Sequence, residues 1–268
     1  MTSKANSRNR FLLFAAAFLF STGGAAIKAT SLSAWQVAGF RSAIAAIVIA
    51  LLVPPSRRNW SLHTAAVGCA YAATLVLFVL ANKTTTAANA IFLQATAPLY
   101  LVFIGPLFLG ERTTRQDLAV FAAIASGAAL LLYGSRSQPP TSASTIGNVV
   151  AGITGFTWAL TLAGLRWLGK RDPTGNAGIA TVVVGNVIAF ALCLPLSFPA
   201  DRLSIRDAGI IVYLGVFQVG LAYVCLTKSI RYVPAVEAAV LLLVEPVFNP
   251  VWTWLVQSER PSNLALAG

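Results

Sequence analysis

The chain has 268 residues, 57% of them hydrophobic and only 10% charged, where an ordinary soluble domain carries roughly 25% charged residues. A soluble fold of that make-up has no polar surface to present to water, so the composition excludes a soluble domain and points to membrane hydrocarbon. The formal net charge of +11 is scattered between apolar segments instead of gathered on one face or tail, which speaks against a nucleic-acid partner and makes the basic residues a topology signal.

Apolar stretches near the roughly 20 residues that a helix needs to cross a bilayer follow one another along the whole chain. They predict spans at 11–30, 34–53, 63–81, 86–109, 118–134, 146–168, 177–198, 207–227 and 235–256, with a tenth beginning at Leu264. None alternates with the period of two that a lipid-facing barrel strand requires. Lys4, Arg8 and Arg10 ahead of the run from Phe11 to Ile27 imitate a cleaved signal peptide, but the repeat described below needs this segment as its first helix. With the N-terminus in the cytoplasm, twelve Lys and Arg fall inside and six outside, Arg41 lying within a helix. The positive-inside rule therefore places the N-terminus in the cytoplasm of an inner-membrane protein. Cys69, Cys193 and Cys225 fall inside apolar segments without CxxC spacing and read as small buried residues.

The chain resembles itself at an offset of 148 residues: Pro98 matches Pro246, Glu111-Arg112 matches Glu259-Arg260, and Leu118-Ala119 matches Leu266-Ala267. A shorter match sets Phe18-Leu19-Phe20 against Phe156-Thr157-Trp158. Five crossings per repeat is an odd number, so the halves enter the membrane in opposite directions, the inverted-topology architecture of many secondary transporters. The expectation is an all-α integral membrane protein of ten helices in a 5+5 inverted repeat: 1–134 the first repeat, 135–145 a linker, and 146–268 a second repeat whose tenth helix is cut short.

Residues 87–112, through Ala97-Pro98 to Leu109-Gly110-Glu111-Arg112, resemble the signature of the drug/metabolite transporter superfamily in its EamA-type ten-helix branch. Pro234-Ala235, Glu245-Pro246 and Ser258-Glu259-Arg260 look like the second copy, with Gln257-Ser258 departing from Leu109-Gly110 at the exit turn. Within the superfamily the chain looks most like the exporters of aromatic amino acids. The resemblance implies a central cavity ringed by helices one, three, four, six, eight and nine, with five and ten at the periphery.

Polar side chains at mid-span are costly in hydrocarbon and so are the first candidates for a substrate path. Asn89, Gln94, Gln218 and Glu245 qualify, and Asn82, just past the third span, joins Asn89, Gln94 and Gln218 as a group able to donate to or accept from a zwitterion. Glu245 next to Pro246 reads as a proton-coupling group, an ammonium partner, or a cap for backbone freed by the proline. Glu237, three residues after Pro234, suits the first turn of a helix, where the dipole favours a carboxylate. Arg41, six residues past Trp35, reads as snorkelling to the interface or pairing with phospholipid, or else as lining the outer mouth of the cavity.

Phe20 and Trp158, related by the repeat, can face each other across the cavity, and Tyr71 and Phe78 share one face of helix three. With Tyr223 they make an aromatic wall for a planar or apolar substrate, or else ordinary packing. Pro98, Pro106, Pro246 and Pro250 remove backbone donors at membrane depth and read as hinges, cavity-lining carbonyls or plain kinks.

The sole histidine, His63, stands at a helix start, and neither a phosphate loop nor a metal-ligand cluster is present in the sequence. The expectation is a gradient-driven carrier, without cofactor or metal and not an enzyme, that exports small amphipathic metabolites, aromatic or large apolar amino acids first, by alternating access. Its partners are a small-molecule substrate and the bilayer, with no nucleic acid and the oligomeric state open. A carrier of phosphorylated or nucleotide-linked metabolites or of drugs, a channel or non-transporting sensor, and a membrane enzyme are the alternatives.

Overall fold

The computed structural model describes residues 3–111, 114–115, 119, 122–127, 142–172, 174–200 and 203–257, and within them all regular structure is helical. Eight helical stretches are long and apolar enough to cross a bilayer: Ser7–Ala29, Ala34–Leu52, Leu62–Thr84, Ala87–Leu109, Thr145–Arg171, Asn176–Ser197, Ile205–Ile230 and Ala235–Val256. They fall on eight of the nine complete spans expected from composition. The expected span at 118–134, most of the linker and the helix beginning at Leu264 lie outside the described residues.

In chain order the helices are α1 (Ser3–Ser21), α2 (Gly23–Ala29), α3 (Ala34–Leu52), α4 (Leu62–Thr84), α5 (Ala87–Gln94) and α6 (Ala97–Ile104). There follow α7 (Ser142–Arg171), α8 (Asn176–Ser197), α9 (Ile205–Tyr213), α10 (Ala222–Ile230), α11 (Ala235–Leu241) and α12 (Val244–Gln257). Hydroxyl residues start several of them. Ser33 and Gln36 form a capping box at α3, Ser61 and Thr64 one at α4, and Ser204 accepts from the Asp207 amide at α9.

Four of the eight spans are broken or distorted. The first is interrupted at Thr22, between α1 and α2, and the fourth at Ala95 and Thr96, between α5 and α6. The seventh carries a π-helical segment, Leu214–Leu221, between α9 and α10, and the eighth is interrupted at Leu242 and Leu243, between α11 and α12. The prolines explain two of these breaks. Pro98 and Pro246 have no N–H, so the carbonyls of Gln94 and Leu242 lose the donor four residues on, and the helix gives way upstream of each proline. Pro106 opens a π turn, Gly105–Leu109, closed by Gly110 in the left-handed region at φ 64°. At Pro250, expected as a further hinge or kink, α12 runs on without a break.

The polarity of the bundle is that of a membrane protein. Phe11, Leu51, Leu107, Phe108 and Leu192 point outward, while Arg41, Thr74, Asn186, Gln218, Glu245 and Asn249 are buried. α4 packs against α7 and α8, α3 against α8 and the π-helical segment, and α1 against α10 and α12. Where α4 and α8 cross, a Cβ on Gly185 would stand 2.9 Å from the Gly68 carbonyl, so only glycine allows this approach.

Each end of the bundle is tied by its own polar cluster. At one end Glu111 takes the Nε of Arg166 at 2.8 Å, the Nζ of Lys170 at 2.9 Å and the Ala235 amide at 2.9 Å. Arg166 also donates to the carbonyls of Ile230 and Arg231, and Arg10 pairs with Glu237 at 2.6 Å. At the opposite end Asp207 accepts from the Ser31 amide at 3.0 Å, the Ser31 hydroxyl at 2.9 Å and the Ser204 hydroxyl at 2.7 Å. There Lys83 donates to the Thr30 carbonyl at 2.8 Å.

Candidate functional site

Between these two ends the broken helices meet. Gln94, Ala95 and Pro98 from one break, and Leu242, Glu245 and Pro246 from the other, line a single small cavity together with Trp158. The Leu242 carbonyl, deprived of its usual donor by Pro246, accepts instead from the Glu245 amide at 3.0 Å. That local bond turns the start of α12 so that Glu245 lies at the break, 4% exposed. Its carboxylate makes no hydrogen bond or ion pair among the described residues. Gln94, on the facing break, has its side-chain oxygen buried and without a partner.

The adjoining cavity shares Gln94, Trp158 and Glu245 and adds Phe20, Arg41, Thr74, Leu75, Phe78, Gln218 and Tyr223. Its volume is about 20 Å³, room for roughly one water molecule. In this conformation the centre is shut and leaves no room for a molecule much larger than water.

Arg41 corrects the sequence reading most. It neither snorkels nor lines an outer mouth: its side chain is 0% exposed at the centre of the bundle. One guanidinium nitrogen donates to Oε1 of Gln218 at 3.1 Å and another to the Leu75 carbonyl at 2.9 Å, while Nε has no partner. Gln218 reaches it from the π-helical segment of the seventh described span, and π-bulges often occur where a functional side chain must be aimed. Gly23 makes room for this: a Cβ there would stand 2.7 Å from Nε2 of Gln218. No ion pair links Arg41 and Glu245, although both line one cavity. The resemblance implied a ring of helices that omits the second; Arg41 brings the second helix into it.

The aromatic residues cluster edge to face. Phe20 lies 6.0 Å from Trp158 and 4.9 Å from Tyr223 between ring centroids, and Trp158 lies 6.1 Å from Tyr223. Tyr71 stands behind, 4.6 Å from Tyr223, its hydroxyl accepting from Nδ2 of Asn186 at 2.8 Å. Seven of the ten residues expected around the cavity line it: Phe20, Phe78, Gln94, Trp158, Gln218, Tyr223 and Glu245. Tyr71 is one layer out. Asn82 turns back to its own helix and donates to the Phe78 carbonyl at 2.9 Å, and Asn89 sits with Thr85 and Asn148 toward the Asp207 end. Neither lines the cavity.

Thr74 and Leu75 were missed, because no pattern in an all-apolar helix shows which face meets lipid. Arg41 was legible by another route: it and Glu245 are opposite charges well inside predicted spans, and each is expensive there.

The model of the EamA-like transporter family matches residues 9–133 and again 145–268. A pseudopaline exporter, CntI, of Pseudomonas aeruginosa is 30% identical over 94% of this chain and 89% of its own length. An uncharacterized transporter of Archaeoglobus fulgidus is 27% identical over 81% of this chain and 75% of its own length. A probable terminal-alkyne amino-acid exporter of Streptantibioticus cattleyicolor is 31% identical over 68% of this chain and 60% of its own length. A solved crystal structure superposes with a TM-score of 0.74 over 97% of this chain and 92% of that one, at 20% identity, which shows a shared fold.

Proposed function

The chain belongs to the EamA-like transporter family of membrane proteins, and from that premise we propose that it exports small zwitterionic metabolites, aromatic or large apolar amino acids first, by alternating access. The observation that carries this reading is the pairing of Arg41 and Glu245 on the walls of one buried cavity with no ion pair between them. A zwitterion supplies what each lacks. Its carboxylate accepts from the spare donors of Arg41, and its ammonium donates to Glu245 and to the unpartnered oxygen of Gln94. Charges at this depth cost several kcal/mol each unless paired, so a ligand presenting both ends is favoured over one presenting either alone.

Phe20, Trp158 and Tyr223 then face the side chain of the substrate. The relative named as an amino-acid exporter supports the substrate class. Ten helices in a 5+5 inverted repeat, an inner-membrane location with the N-terminus in the cytoplasm, and rocking of one half against the other complete the proposal. A phosphorylated substrate would call for several cations at the cavity, and among the described residues that line it Arg41 alone is basic.

The test is uptake of labelled phenylalanine into liposomes containing the purified protein, with phenethylamine, 3-phenylpropionate and a sugar phosphate as competitors. Saturable uptake is expected to be inhibited by tryptophan and at least tenfold more weakly by the analogues lacking a carboxylate or an ammonium, a ratio equivalent to about 1.4 kcal/mol. Transport of the sugar phosphate in place of the amino acids would overturn the substrate class. An inward proton gradient that accelerates uptake in the wild type and has no effect in Glu245→Gln would add proton coupling to the role of Glu245.

A further inference from the structure

A separate and larger cavity, about 400 Å³, opens at the Glu111 end between α1, the exit of α3, the start of α8 and the end of α10. It has the size of a ligand site, and its lining has a charge pattern. Arg8, Lys228 and Arg231 contribute three cations, Asn9, Thr174, Asn176 and Thr227 contribute polar groups, and among the described residues no acidic one lines it.

The acids described at this end are already engaged. Glu111 is held by Arg166, Lys170 and the Ala235 amide, and Glu237 by Arg10. Asp172 accepts from the Thr174 hydroxyl and the Ala177 amide. Arg8 and Lys228 have no ion pair among the described residues. Arg231 is fixed over the ring of Tyr232, 4.7 Å from its centroid, with its own carbonyl taken by Arg166. Deeper in, Leu12, Val53, Ile179 and Val224 make the wall apolar.

We propose that this cavity binds a phosphate-bearing anion, with an anionic phospholipid as its source in the membrane. Two unpaired cations and a third held in place around a polar recess supply the charge that a phosphate needs. A basic pocket between membrane helices at one bilayer face is where lipid headgroups settle, and the apolar inner wall accepts the first carbons of an acyl chain. Among the described residues the site shares no lining residue with the central cavity, so this proposal stands or falls separately from the substrate assignment.

The experiment compares thermal unfolding of the full protein in nanodiscs of phosphatidylcholine alone with nanodiscs containing phosphatidylglycerol, and in phosphatidylcholine with added inorganic phosphate. Phosphatidylglycerol is expected to raise the melting temperature of the wild type. The double variant Arg8→Gln, Lys228→Gln is expected to lose most of that rise, while Arg57→Gln, Arg58→Gln, at the same end but outside the cavity, keeps it. A rise produced by inorganic phosphate and lost in the same variant assigns the site to a soluble phosphate. Absence of any rise in the wild type, or equal losses in the two double variants, overturns the proposal, since the second result reports surface charge alone.

Discussion

Arg41 and Glu245 sit at a depth where an unpaired charge is expensive, and the structure lends them different company. Arg41 has two acceptors and one nitrogen to spare; Glu245 has no partner among the described residues. Trp158 touches both the aromatic cluster and the two helix breaks, since it lines both central cavities. Trp158→Ala removes two edge-to-face ring contacts, each worth about 0.5–1.5 kcal/mol beyond area burial. Competition assays with this variant should show roughly tenfold weaker recognition of phenylalanine and tryptophan, and little change for alanine. Equal loss for large and small amino acids would make Trp158 a packing residue.

At the scale of the element, the breaks at Ala95-Thr96 and Leu242-Leu243 set the centre. Each lies just upstream of a proline, and together they bring Gln94 and Glu245 to one cavity. Pro98→Ala restores an amide that can donate to the Gln94 carbonyl, a hydrogen bond worth about 0.5–1.5 kcal/mol net. The expected result is a slightly higher melting temperature and a several-fold lower turnover in liposomes, with KM little altered, because a straightened helix resists the rearrangement that the closed cavity requires. Unchanged turnover would reduce the break to a kink. A proline alone does not make such a break, since Pro250 leaves α12 unbroken.

At the scale of the molecule, the Glu111 and Asp207 clusters close opposite ends of the bundle, consistent with a centre that holds about 20 Å³. Burial pushes the Glu111 carboxyl up, but hydrogen bonds from the Ala235 amide, Lys170 and Arg166 outweigh it and hold it below its ordinary value. A depressed carboxylate contributes stability that is fully present above the unfolded value of about 4.3 and is lost as the pH falls through the folded one. Wild type should therefore melt above Glu111→Gln at neutral pH, the two curves converging below about pH 4.3. A gap that stays constant through that range would deny the linkage.

Membrane embedding, the positions of eight spans, the paired prolines and most of the cavity's aromatic and polar lining were legible in the sequence, because hydrocarbon tolerates few polar groups and each one in a span stands out. The family signature was legible in the spacing of proline and glutamate, which recurs in both halves of the chain. What only the tertiary structure decided is which of those polar groups meet. Arg41 turned inward because Leu75 and Gln218 offered it acceptors, and Gln218 was aimed by a π-helical segment that no periodicity announces. Asn82 and Asn89 went elsewhere because nearer acceptors, a carbonyl one turn back and Asn148, took their side-chain amide donors first. A uniformly apolar helix carries no record of its rotation about its own axis; packing fixes that rotation, and with it the site.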